Sequence, residues 1–119
     1  MTPTCVFCNI AAGTAPATVV RRWADALAIV PLNPVTDGHL LIIPTQHVAN
    51  AATSPVVTGL AAMHAASLLA ETGQQANLIT SIGPNASQTV FHLHWHLVPR
   101  SAGDGLTLPW TNQHTRGEA

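Results

Sequence analysis

Apolar positions in this chain come in short strand-length runs and one longer block of helix formers, separated by clusters of proline, glycine, asparagine and aspartate. Thr18–Trp23 and Ala26–Leu32 read as strands with Asp25 at the turn between them. Pro31, Asn33, Pro34, Asp37 and Gly38 mark a loop into a third strand, His39–Ile43, which predicts a three-stranded antiparallel meander. Before it, Cys5 to about Ala12 predicts a short helix closed by Gly13, with Pro16 at the exit.

Ser54 and Pro55 form a helix start, a hydroxyl to cap and a proline for the first turn, and Val56–Thr72 continues it to Gly73. Its alanines (Ala61, Ala62, Ala65, Ala66 and Ala70) carry little bulk and let a neighbouring element approach closely. Leu78–Ile82 and Val90–Val98 complete the pattern as strands four and five, with Gly83, Pro84 and Asn85 between them. Strands, helix, then strands predict an α+β fold on an antiparallel sheet. At 119 residues the expectation is one domain, with a core over about 5–100 and a tail over 101–119.

Within the last strand, HLHWH places His92, His94 and His96 at alternate positions, so they are expected on one face, with Phe91, Leu93, Trp95 and Leu97 on the core face. A merely solvated face would carry Thr, Ser, Lys or Glu, which this strand lacks. Histidines two apart in a strand lie about 6.6 Å from one another and the outer pair about 13 Å. Zinc–nitrogen bonds are about 2.0–2.1 Å, so the outer pair is not expected to share an ion. His64, in mid-helix, and His114, in the tail, are expected to have no chemical role.

Charge narrows the function further. Hydrophobic residues make up 47% and charged residues 8%, and the four arginines and no lysines face five acidic residues. This excludes a basic nucleic-acid surface and leaves any bound phosphate to backbone N–H groups and histidines. So little surface charge also suggests that a partner subunit, most simply a second copy, covers part of the molecule. No run approaches the roughly 18–20 apolar residues of a membrane span, and a cytoplasmic location is expected. In a reducing compartment Cys5 and Cys8, at C-x-x-C spacing, point to metal ligation or redox chemistry, and a tetrahedral structural zinc would need two histidines in addition. Motifs of serine hydrolases and P-loops are absent.

The segment HLHWHLV, with Gln88, Thr89 and Val90 before it and Pro99 and Arg100 after it, resembles the signature of the histidine triad (HIT) family, His-φ-His-φ-His-φ-φ with φ apolar. CVFCNIAAGTAPA is similar to that family's zinc-bearing N-terminus and DGHLLIIPTQH to its second block, so the resemblance runs from about Cys5 to Arg100. It implies a homodimer, each subunit giving a five-stranded antiparallel sheet to a ten-stranded whole. It implies a nucleotide hydrolase or transferase acting on a purine nucleotide, either a nucleoside phosphoramidate or a dinucleoside polyphosphate. His94 would attack the α-phosphorus, His96 would hydrogen-bond phosphate oxygens, and His39 would support them.

The resemblance further implies a structural zinc ion held by Cys5, Cys8, His47 and His92, and substrate contacts from Ser81, Gln88, Thr89 and the backbone amides of the Gly83–Gln88 loop. Ile10, Leu32 and Ile43 are candidates to line the base site. Two positions depart from the pattern: Ser81 stands where the family commonly has Asn or Gln, and Ser87 where it commonly has Gly. They raise a second reading, a nucleotide-binding module with little turnover. A third is a zinc hydrolase with His92, His94 and an upstream histidine on a catalytic ion.

Overall fold

The computed structural model describes residues 5–111 of the chain. Five strands, β1 (Val19–Arg22), β2 (Ala26–Ile29), β3 (Leu40–Pro44), β4 (Ala76–Ile79) and β5 (Trp95–Pro99), form one antiparallel sheet in the order β1-β2-β3-β5-β4. Helix α1 (Val6–Ala11) precedes the sheet and helix α2 (Pro55–Thr72) connects β3 to β4. The expected α+β architecture is therefore the observed one.

Both faces of the sheet are covered. Leu27, Ile29, Leu41 and Ile43 pack with Phe7 and Ile10 of α1. Ala28, Ile42 and Leu97 pack on the opposite side with Ala61, Ala65 and Leu68 of α2. This explains why β2 is buried at every position instead of alternating with polar residues. The Ser54 hydroxyl caps α2 by accepting from the Val57 N–H at 3.2 Å. Gly73 ends the helix at φ 69°, in the left-handed region that glycine enters without steric cost, and its N–H reaches the Leu69 carbonyl. The Trp95 indole N–H donates to the Thr58 carbonyl at 3.2 Å and ties α2 to β5.

Strand boundaries differ from expectation where long-range partners decide them. β2 stops at Ile29, short of the expected Leu32, which is 98% exposed. β3 begins at Leu40, leaving His39 just outside it, and β4 covers Ala76–Ile79 instead of Leu78–Ile82. The largest correction is β5, which starts at Trp95 and not at Val90. The Leu93 N–H is taken by the Val48 carbonyl at 2.7 Å and the His94 carbonyl by the Thr80 hydroxyl at 2.8 Å. Residues 91–94 thus lie beside the loop after β3 and not in the ladder, and Phe91, expected in the core, is half exposed.

Ala65 is fully buried between α2 and the sheet, whereas Ala66 beside it is exposed. Ala65→Leu is expected to cost about 1–3 kcal/mol by overpacking, and Ala66→Leu less than about 0.5 kcal/mol. Urea midpoints of the two variants check this, and equal effects would contradict the packing described.

Candidate active site

The sheet face that carries α1 also carries His39 and His96. His96, next to Leu97 on β5, must face away from the α2 core that Leu97 joins. It pairs with Leu41 across the ladder, so His39 is its diagonal neighbour on the same face. Gly38 allows that placement: its φ is 85°, and a Cβ there would stand 3.1 Å from the Pro99 ring.

Hydrogen bonds determine where each ring proton sits. The Val35 backbone N–H donates to His39 Nδ1 at 3.1 Å, so that nitrogen is bare and His39 Nε2 carries the proton of the neutral ring. His39 Nε2 lies 3.0 Å from His96 Nδ1 and donates to it. His96 is left with its proton on Nε2, as a neutral donor. His94 has the opposite polarity. Its Nδ1 is 2.8 Å from the His92 carbonyl, which can only accept, so Nδ1 carries the proton and Nε2 an unshared pair.

All three rings are held toward the neutral form. Burial lowers the pKa of His39 below its usual value. Burial also lowers that of His94, against the opposing hydrogen bond to the His92 carbonyl. His96 falls from 6.5 to about 4, mainly through burial and further through its neighbours His94 and His39.

His39, His94 and His96 border a cleft of about 1040 Å³, ample for a small organic ligand. Its apolar wall comes from Val6, Phe7 and Ile10 of α1 and from Leu32 and Leu41. Ile43, a candidate for this wall, instead lies fully buried in the core beneath it. Ser81, Ser87, Gln88 and Thr89 also line the cleft. His39, His96, Ser81 and Ser87 also border a second pocket of about 430 Å³. Arg100 and Leu106 also line it, and Arg100 is bound by both carboxylate oxygens of Asp104, by Asn77 and by the Leu106 carbonyl.

Gln88 and its loop depart from expectation. The Gln88 side chain accepts from the Gly83 N–H and donates to the carbonyls of Ala49 and Val90, so it braces the loop and its polar atoms are committed internally. The amides of Gly83, Ala86, Ser87 and Gln88 all bond within the loop, so these four are taken up in holding its shape. Ser87 closes the 3₁₀ turn over Pro84–Ala86 with φ 67°, the one positive value outside glycine among the described residues. A backbone of that kind accounts for glycine in the related pattern.

Cys5, Cys8, His47 and His92 form a separate cluster whose four ligand atoms all lie within 4.8 Å of one another. Cys5 caps α1, Cys8 sits on its first turn, His47 follows β3, and His92 is fully buried just before β5. His92 Nε2 donates to the Pro44 carbonyl at 2.8 Å, which bares Nδ1 toward the cluster. That Nδ1 is 3.4 Å from Cys5 Sγ, 3.6 Å from Cys8 Sγ and 3.1 Å from His47 Nδ1. Bonds of about 2.0–2.3 Å to a tetrahedral ion put its ligands roughly 3.3–3.8 Å apart, so the donor set fits such a metal. His64 stands outside both sites, paired with Asp25 at 2.7 Å and stacked on Trp23. His114 lies outside the described residues.

Residues missing from the sequence reading are Phe7, Val35 and Thr80. Phe7 had a local signal, its place between the two cysteines; the Val35 amide and Thr80 hydroxyl had none.

Ser87→Gly is expected to stabilise the protein by about 1 kcal/mol through release of the left-handed backbone cost, read as a higher urea midpoint. A lower midpoint would contradict that origin. His96, with a folded pKa below its unfolded one, binds fewer protons folded than unfolded at intermediate pH. Its contribution is neutral above 6.5, opposes folding as pH falls through that value, and reaches its full penalty near pH 4. Wild type is therefore expected to lose more stability between pH 7 and 5 than His96→Asn does, and parallel losses would contradict this.

Residues 12–103 match the family model described as HIT domain. The chain is 33% identical to "Protein hit" of Bacillus subtilis over 113 residues, 89% of this chain and 78% of that protein. It is 32% identical to the adenylylsulfatase HINT3 of Arabidopsis thaliana over 118 residues, 94% of this chain and 58% of that protein. Among solved structures, a HIT family hydrolase from Clostridium thermocellum superposes with a TM-score of 0.78 at 31% identity, over 91% of this chain and all of that one. A Zn-bound histidine triad family protein from Mycobacterium smegmatis gives 0.75 at 32% identity, over 95% of this chain and 88% of that one. With its sheet order, its His92-His94-His96 segment and these likenesses, the chain belongs to the HIT domain family.

Proposed function

We propose that this protein is a nucleotide hydrolase or transferase that acts at the α-phosphate of a purine nucleotide substrate through a covalent nucleotidyl-histidine. The observation that carries this reading is the bond from His94 Nδ1 to the His92 carbonyl, which leaves an unshared pair on Nε2 of a ring that borders the cleft. His94 Nε2 forms a bond to phosphorus as the bond to the leaving group breaks. The leaving group departs with that electron pair and takes a proton from water. A second water then adds to phosphorus, the N–P pair returns to Nε2, a proton passes to solvent, and the nucleoside monophosphate is released.

His96 meets the phosphate oxygens as a neutral Nε2–H donor, a state supported by its pKa of about 4 and by the hydrogen bond that its Nδ1 accepts from His39. Ser81 and Thr89, which also line the cleft, add hydroxyl donors. The apolar wall of α1 takes the base. Cys5, Cys8, His47 and His92 hold a structural zinc, which when bound fastens α1 to the segment before β5. The protein acts as a cytoplasmic homodimer on a small-molecule substrate.

A nucleotide-binding module with slight turnover is the second reading, favoured by Ser81 in place of an amide and by the left-handed Ser87. Intact-mass detection of a nucleotidyl adduct separates the two, using a panel of adenosine phosphoramidate, a dinucleoside polyphosphate and adenylyl sulfate. The last is included because of the relative named an adenylylsulfatase. Wild type is expected to form the adduct, and His94→Ala to lose it together with at least about a thousandfold in kcat. Hydrolysis unchanged in His94→Ala would sink the assignment, and mononucleotide binding without adduct would favour the module.

A further inference from the structure

Phe7 sits between Cys5 and Cys8 on α1 and is 6% exposed. Its ring meets His92 edge-on at 5.8 Å between centroids and 84° between planes. It meets His94 in the same manner at 5.1 Å and 76°. On its other side Phe7 is locked into the core with Ile10, Leu27, Ile29, Leu41 and Ile43. One side chain thus touches both a ligand of the metal cluster and the proposed nucleophile, and its position is set by the two cysteines that flank it.

A second connection runs through the main chain. His92 gives Nδ1 to the cluster and Nε2–H to Pro44, so its ring is held at both ends, and the carbonyl of that same residue receives His94 Nδ1. That single bond leaves the His94 ring free to swing about its own axis. Phe7 at 5.1 Å and His96 at 5.2 Å, both meeting the His94 ring edge-on, restrict that swing.

We propose that Phe7 is a positioning residue for catalysis: it carries the rigidity of the Cys5, Cys8, His47 and His92 cluster to His94 and holds the Nε2 face of that ring toward the cleft. The idea rests on His94 as nucleophile. The metal centre, on this view, sets turnover as well as stability, through contacts of this chain's own residues.

The test uses zinc-loaded protein and the variants Phe7→Leu, which keeps an apolar side chain of similar bulk, and Phe7→Tyr, which keeps the ring. Phe7→Leu is expected to lower kcat on the order of ten- to a hundredfold, with zinc content and melting temperature near wild type. Long-range proton–nitrogen spectra are expected to show His94 as one Nδ1–H tautomer in wild type and as a mixture in Phe7→Leu. Phe7→Tyr is expected to restore both the rate and the single tautomer. Unchanged kcat and unchanged His94 signals in Phe7→Leu would overturn the proposal. So would losses of kcat, zinc and melting temperature that fall together, since those mark a purely structural role. If wild type forms no nucleotidyl adduct, the reading of His94 fails, while the tautomer spectra still decide whether Phe7 orders that ring.

Discussion

A buried imidazole must satisfy every polar group it brings with it, and His92 does so in three directions at once. Its Nε2 donates to Pro44, its Nδ1 enters the thiol–imidazole cluster, and its carbonyl accepts a hydrogen bond from His94 Nδ1–H. Each bond fixes the next: the Pro44 contact bares the metal-facing nitrogen, and the backbone carbonyl bares the cleft-facing nitrogen of His94. The N-terminal helix, the loop after β3 and the approach to β5 are joined at this one residue.

His39 and His96 form a second chain, started by the Val35 amide. It delivers a neutral donor next to an unshared pair, two complementary functions from one residue type. Tautomer, set by main-chain partners, separates their roles. Burial holds both toward the neutral form, and the proposed phosphate chemistry needs no imidazolium ion at neutral pH.

The fold was readable to a large extent because its cues are local: a Ser-Pro helix start, glycine stops, and runs of β-branched and aliphatic residues. The histidine spacing was equally readable, and so was the pairing of two cysteines with two histidines. What escaped depends on partners far along the chain. The start of β5 is decided by Val48 and Thr80, the commitment of Gln88 by Ala49, and the tautomers by carbonyl groups that every residue possesses. Phe91 illustrates the cost: strict alternation assigns it to the core, yet the ladder has not begun where it stands.

The knot around Arg100 has a consequence for how the cleft meets its ligand. Its guanidinium is neutralised by Asp104 and occupied by Asn77 and Leu106, and among the described residues it is the sole arginine bordering either pocket, in a chain without lysine. Attraction for an anion then comes from short-ranged dipoles. Ionic strength is then expected to alter binding little, because the described residues put no unpaired arginine at the cleft whose attraction salt could screen. Such a cleft selects by fit after contact, and its occupancy follows the ligand's concentration, not the salt around it.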